Sequence, residues 1–125
     1  MAWQIPKTNW QGGNVPSSAD FNRIEGNSLQ NHDDIDVHKA DYTLQVPYGG
    51  TTAGAANTYT IATPTITTLA TGMAVSFMAH QDSTGACTLN WNSKGAKALK
   101  KPNGANAVIK SGAIYTVRYN GTNCI

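Results

Sequence analysis

The sequence has few charged side chains, and acidic ones are nearly absent after its first third. Charged residues make up 13% of the 125 residues, and the formal net charge is +2. Residues 1–41 carry three basic and six acidic side chains, whereas residues 42–125 carry six basic side chains and Asp82 alone. The two parts therefore have net charges of about −3 and +5, which indicates either head-to-tail association of subunits or two ordinary solvated surfaces.

The chain also lacks a secretory start, a long apolar run and a cysteine motif. Its first six residues, MAWQIP, have neither a basic start nor an apolar run, so we expect synthesis in a cytoplasm. No stretch of 18 apolar residues occurs, so we expect no membrane insertion. Cys87 and Cys124 have no C-x-x-C spacing, which predicts two small buried hydrophobic residues in a reducing compartment.

The remaining composition predicts an α+β fold that is mainly β. A chain of 125 residues fits one domain, and its abundant Thr, Asn, Ala and Gly are typical of strands joined by tight turns. We predict an N-terminal extended leader and one helix over residues 1–41. An antiparallel β-sandwich over residues 42–125 follows, and the two parts together form one structural domain.

The leader is irregular because Pro6, Gly12, Gly13 and Pro16 disfavour helix and central-strand geometry. A serine cap and Asp20 then predict a helix over residues 19–31, with a helical face that carries Phe21, Ile24 and Leu29. The charged residues 31–41 indicate a fraying helix end or a loop. Apolar residues in an irregular leader need a partner, so the predicted docking residues are Trp3, Ile5, Trp10, Phe21 and Ile24.

From residue 42 the apolar residues alternate with polar ones, which is the pattern of strands. Turn sequences such as Asn103-Gly104 and Asn120-Gly121 separate the segments. Val75, Phe77 and Ala79 are expected in the core, with Leu89, Trp91 and either Ile114 or Val117. The predicted strands cover residues 42–46, 58–62, 66–69, 73–80, 87–92, 97–101, 108–110, 114–119 and 123–125.

No pattern in the sequence predicts an enzyme, a cofactor or a metal site. His80, Asp82 and Ser83 lie on one strand end and its turn, without the elbow that presents a nucleophile. The cluster of His32, His38 and nearby aspartates fits neither a calcium loop nor a zinc spacing. The basic strip formed by Lys94, Lys97, Lys100 and Lys101 has no interleaved aromatic residues, so it predicts a solvated edge strand and no nucleic-acid partner. Candidate saccharide contacts are Trp91, Tyr115 and Tyr119, for which core packing is the alternative.

Two parts of the sequence resemble phage proteins. Trp3-Gln4-Ile5-Pro6, Trp10 and the run from Asp20 to Asn27 (DFNRIEGN) resemble the N-terminal segment of minor tail proteins in phages and prophages of Gram-positive bacteria. The β half, at residues 71–80, 84–90, 95–101 and 115–123, is similar to modules in tail fibre and baseplate proteins. Together these stretches cover most of the chain.

The resemblance implies a fold similar to the shoulder domain of siphophage receptor-binding proteins, which commonly assembles as a trimer. It implies a non-enzymatic structural component of a tail tip or baseplate in the virion, anchored through its N-terminal segment to other tail proteins. Shoulder domains leave saccharide binding to separate neck and head domains. The sequence ends at Ile125 without room for a head, so we expect a structural role unless it is a fragment of a longer protein. The alternative is a carbohydrate-binding module for the host cell-wall polysaccharide.

Overall fold

The structure is a computed structural model that describes residues 2–125. The chain divides into two compact units, Met1–Ala40 and Asp41–Ile125. The described residues form one helix and seven strands in two sheets, which confirms the predicted mainly-β α+β class with a leader and a helix before a sandwich-like β part. No helix among these residues is long and apolar enough to cross a membrane.

Helix α1 spans Ser18–Ala40 and begins one residue before the predicted start at residue 19. The Ser17 hydroxyl accepts the Asp20 N–H, and the Asp20 carboxylate accepts hydrogen bonds from the Ser17 N–H and O–H at 2.9 and 2.8 Å. This reciprocal cap satisfies polar groups at the helix start. The hydrogen bonds from Ser17 hold the pKa of Asp20 below its usual range.

The predicted helix end at residue 31 is wrong, because the charged segment after it is helical to Ala40. Its side chains pair at the three- and four-residue spacings that stabilise helices. Gln30 donates to Asp34, His32 contacts Asp36 at 3.2 Å, and Lys39 lies 3.9 Å from Asp36. Basic side chains in the last turn also oppose the helix dipole.

The β unit contains two mixed sheets. The three-stranded sheet has the order β1-β4-β7, and the four-stranded sheet has the order β2-β3-β5-β6. The sandwich is therefore not purely antiparallel, since β1 pairs with β4 and β3 pairs with β5 in parallel. The strand bounds are β1 Tyr48–Thr51, β2 Ala53–Ala55, β3 Thr58–Ile61, β4 Ala74–Met78, β5 Thr88–Trp91, β6 Ala96–Ala98 and β7 Ile114–Arg118.

The strand predicted at residues 42–46 is wrong. The Asp41 carboxylate accepts the N–H groups of Thr43 and Leu44, so this segment forms a turn, and β1 begins later, at Tyr48. A Cβ at Gly49 would lie 2.9 Å from the Thr63 carbonyl oxygen, so the close packing of β1 requires glycine there. The predicted strands at residues 66–69, 108–110 and 123–125 are also absent, although Cys124 forms isolated bridges.

Both sheets contribute to one buried core. Tyr59, Leu89 and Trp91 come from the four-stranded sheet, and Val75 and Phe77 from the three-stranded sheet. The predicted core residues Ala79 and Val117 are also buried, whereas Ile114 is 64% exposed. Cys87 and Cys124 are buried and free, as predicted.

Candidate docking surface

The structure places all five predicted docking residues of the N-terminal unit at the surface. Trp3 is 53% exposed and Trp10 is 40% exposed, while Ile5 is largely exposed. Phe21 and Ile24 lie on α1 and keep about half of their surface in solvent. The Lys7 ammonium group lies 4.1 Å from the centroid of the Trp10 ring, which adds a cation–π contact within the leader.

The leader is held on its own helix by a residue that the sequence analysis missed. The Asn27 amide forms two hydrogen bonds with the main chain of Gln4, and Asn27 and Gly26 are the buried residues of α1. The sequence contained one indication of this contact, because Gly26 and Asn27 are poor helix formers that stand side by side inside a helix. The expected docking on a neighbouring subunit therefore concerns the exposed side chains of a leader that already contacts α1.

More apolar side chains are exposed in this unit than the sequence analysis selected. The additional residues are Val15, Leu29, Ile35 and Val37. Ile35 and Val37 were missed because their charged neighbours led to the prediction of a helix end or loop there. Helix α1 thus presents apolar groups along much of its length.

The candidate saccharide contacts do not form an exposed aromatic platform. Trp91 is 4% exposed, and its indole N–H donates to the Pro64 carbonyl oxygen at 2.9 Å. Tyr119 is 9% exposed and donates to the Gly121 carbonyl oxygen. Tyr115 is half-buried against Phe77. Buried rings cannot stack on a sugar, so these three side chains pack in or against the core.

The His80, Asp82 and Ser83 side chains each have other partners. The His80 ring lies between the Thr52 hydroxyl, 2.8 Å from Nδ1, and the Gly54 carbonyl oxygen, 3.0 Å from Nε2. Because a carbonyl oxygen only accepts, Nε2 carries the proton. Asp82 accepts from Lys110 and Ser111, while the Ser83 hydroxyl accepts the Ile109 N–H and donates to its carbonyl oxygen. The three side chains thus tie loops together through separate partners, and the Ser83 hydroxyl pairs with Ile109 and not with the His80 ring.

The electrostatics of these groups follow from the same contacts. Hydrogen bonds from the Lys110 ammonium group and the Ser111 N–H lower the pKa of Asp82, and the same ion pair raises the pKa of Lys110. In the core, burial raises the pKa of Cys87 and raises the pKa of Cys124 to about 11. Among residues 2–125 no group of three or more His, Cys, Asp or Glu side chains could hold a metal ion.

Comparison with known proteins identified no relative of this chain. No protein-family model, curated protein or solved structure matches the chain. The resemblance to phage tail proteins therefore rests on the residues that carry it.

Proposed function

We propose that this chain is a non-enzymatic structural subunit of a siphophage or prophage tail tip or baseplate, and that its N-terminal unit anchors it there. The observation that carries the proposal is the surface of α1. This helix is 23 residues long, and its buried residues are Gly26 and Asn27, neither of which has an apolar side chain. Its apolar side chains are exposed instead.

Such a helix is a poor independent structure. Isolated helices are marginal in water, and helices in proteins obtain most of their stability by packing an apolar face. Phe21, Ile24 and Ile35 each retain more than half of their surface in solvent, as does Trp3 in the leader. Clustered exposed apolar and aromatic side chains are typical of protein interfaces. In this proposal the N-terminal unit contacts other copies of the chain in a homo-oligomer, which we expect to be a trimer. It also contacts other tail proteins.

The well-packed core of the β unit supports a structural role. Its core includes large side chains that are fully buried, such as Tyr59, Phe77 and Leu89. The His80, Asp82 and Ser83 side chains are engaged in separate contacts, which supports the absence of enzymatic activity in this proposal. A carbohydrate-binding role is disfavoured because Trp91 and Tyr119 are buried.

Electron microscopy of particles tests the proposal. Antibodies raised against the purified chain should label one end of the tails that the source bacterium releases after prophage induction. Pre-immune serum is the control for non-specific labelling. Tails without label, in a culture that synthesises the chain, would overturn the assignment to the tail tip or baseplate.

A further inference from the structure

Helix α1 carries a regular seam of side chains that its own chain leaves exposed. From Phe21 to His38, neighbouring members of the seam are separated by three and four residues in turn. This spacing is the repeat of helices that supercoil around one another. Three members are apolar, and Phe21, Ile24 and Ile35 are 55%, 53% and 52% exposed. The seam consists of Phe21, Ile24, Ser28, Asn31, Ile35 and His38.

The leader lies beside this seam and leaves its members exposed. Each residue of a helix is rotated by about 100° around the helix axis from the one before it. Gly26 therefore lies on the side of α1 opposite the seam, and Asn27 lies next to the seam. These two are the buried residues of α1, and Asn27 is bonded to Gln4. The leader thus covers the flank of the helix at Asn27 and leaves the alternating face open to a partner.

We infer that α1 pairs in parallel and in register with α1 of other copies of this chain through this seam. The inference rests on the proposed function as a self-assembling subunit and specifies the interface. In a parallel pair of helices, a residue on one side of the seam faces the residue five positions later on the other helix. Asp34 of one helix therefore faces Lys39 of the other. Asp34 and Lys39 have opposite charges, so this pair favours the parallel arrangement in register.

Two further flanking pairs occur, and neither opposes this arrangement strongly. Asn27 of one helix faces His32 of the other. Asp20 of one helix faces Glu25 of the next, and both are acidic. The Asp20 carboxylate, however, is bonded to Ser17 and lies 3.0 Å from the Arg23 guanidinium group. Arg23 offsets the charge of Asp20, and Asp36, 3.9 Å from the Lys39 ammonium group, offsets that of Lys39 in the same way. Both flanking charge pairs are therefore weak, and the polar residues of the seam set the register.

The polar members of the seam fix the alignment of the paired helices and lower the stability of the pairing. Ser28 and Asn31 occupy the centre, where each would meet its own counterpart in a parallel assembly. Polar groups at such positions lower the stability of a coiled coil and fix its alignment. We therefore expect Asn31→Ile to lower the dissociation concentration of the oligomer by at least ~10-fold. Ile35→Asp should raise it by a similar factor, because it places a carboxylate in an apolar layer.

Disulfide trapping in the full-length chain tests both the surface and the orientation. Ser28→Cys places a thiol at the centre of the seam, and Val37→Cys places one on the opposite side of α1 as a matched control. The natural Cys87 and Cys124 are buried and are the same in both variants. Under mild oxidation, Ser28→Cys should form a disulfide-linked dimer at least ~10-fold faster than Val37→Cys, as expected for paired core positions.

The outcomes separate this inference from the proposed function. A monomer in light scattering, or an oligomer in which both thiols react equally slowly, would refute pairing through the seam. Linkage of Ser28→Cys to an Asn31→Cys chain in preference to itself would indicate antiparallel helices and would also refute it. Antibody labelling of tails does not depend on either result, so the assignment to the tail can survive the loss of the seam.

Discussion

The Asn27 side chain forms two hydrogen bonds with the main chain of Gln4, 23 residues earlier in the sequence. Its Nδ2 donates to the Gln4 carbonyl oxygen at 2.8 Å, and its Oδ1 accepts the Gln4 N–H at 2.9 Å. A neighbouring strand presents the same donor and acceptor to an extended residue. One buried amide therefore holds the leader against α1 without any regular structure in the leader.

Removing this amide should release the leader. Asn27→Ala removes both hydrogen bonds to the Gln4 main chain, and each contributes about 0.5–1.5 kcal/mol net because Gln4 is exposed and water can replace the amide. Trypsin should then cleave after Lys7 several-fold faster than in the natural chain. Asn22→Ala, at an exposed position on the same helix, is the matched control and should not change the rate. Equal cleavage rates in all three proteins would contradict a holding role for Asn27.

The β core was predictable because burial follows a period of two. Val75 and Phe77 alternate with Ser76, and Leu89 and Trp91 alternate with Asn90, so the inward side chains could be read from the sequence. The pairing of the strands could not. Parallel pairing of β1 with β4 and of β3 with β5 depends on contacts between segments that are distant in the sequence, which strand periodicity does not encode.

The exposed apolar side chains of the candidate docking surface were predicted only in part. Trp3 and Trp10 were evident because aromatic side chains in an irregular leader are unusual. The length of α1 was underestimated because the charged segment after residue 31 was treated as a loop, although its charges pair at helical spacing. The role of Asn27 was hidden because it depends on the tertiary position of Gln4.

The His80 ring is predicted to stabilise the β unit and to have no role in hydrolysis. His80→Ala removes the hydrogen bonds to Thr52 and Gly54 and leaves the buried Thr52 hydroxyl group without the ring acceptor. The free energy of unfolding should fall by about 1–3 kcal/mol in urea titrations. Under the proposed structural function, any activity of particles that contain the chain should be unchanged. Loss of cell-wall hydrolysis in a His80→Ala protein that remains folded would overturn the structural assignment.

The pair formed by Asp82 and Lys110 should make stability depend on pH. The folded-state pKa of Asp82 is lowered from 3.8, so its contribution is present above that value and is lost as the pH falls through the folded-state pKa. The pKa of Lys110 is raised from 10.5, so its contribution is lost as the pH rises through the folded-state value. Asp82→Asn should lower Tm at neutral pH, and the difference from the natural chain should shrink in acid. A difference that stays constant from neutral pH to pH 2 would contradict this linkage.

The two natural cysteines should be inert in the folded protein. Cys87 and Cys124 are 2% and 6% exposed, and burial raises the pKa of both thiols. A thiol reacts as its thiolate, so an aromatic disulfide reagent at neutral pH should modify neither residue until a denaturant unfolds the chain. The same reagent should modify Val37→Cys rapidly under native conditions. Fast modification of the natural chain without denaturant would show that the core opens readily.

Deletion of residues 1–15 tests the leader as an anchor. Trp3 and Trp10 are about half exposed, so complete burial would remove a further ~100 Å² each, worth roughly 2–3 kcal/mol apiece before ordering costs. The β unit has its own core, so we expect the truncated chain to keep its main thermal transition while its oligomer dissociates at a concentration at least ~10-fold higher in light scattering. A full-length chain with Trp3→Ala and Trp10→Ala is the second test variant, because it removes the two rings while its leader retains the Gln4–Asn27 contact. If both variants keep the oligomeric state and still enter tails, docking through the tryptophans is wrong. If the truncated chain unfolds as a whole, the tryptophans stabilise the chain's own fold.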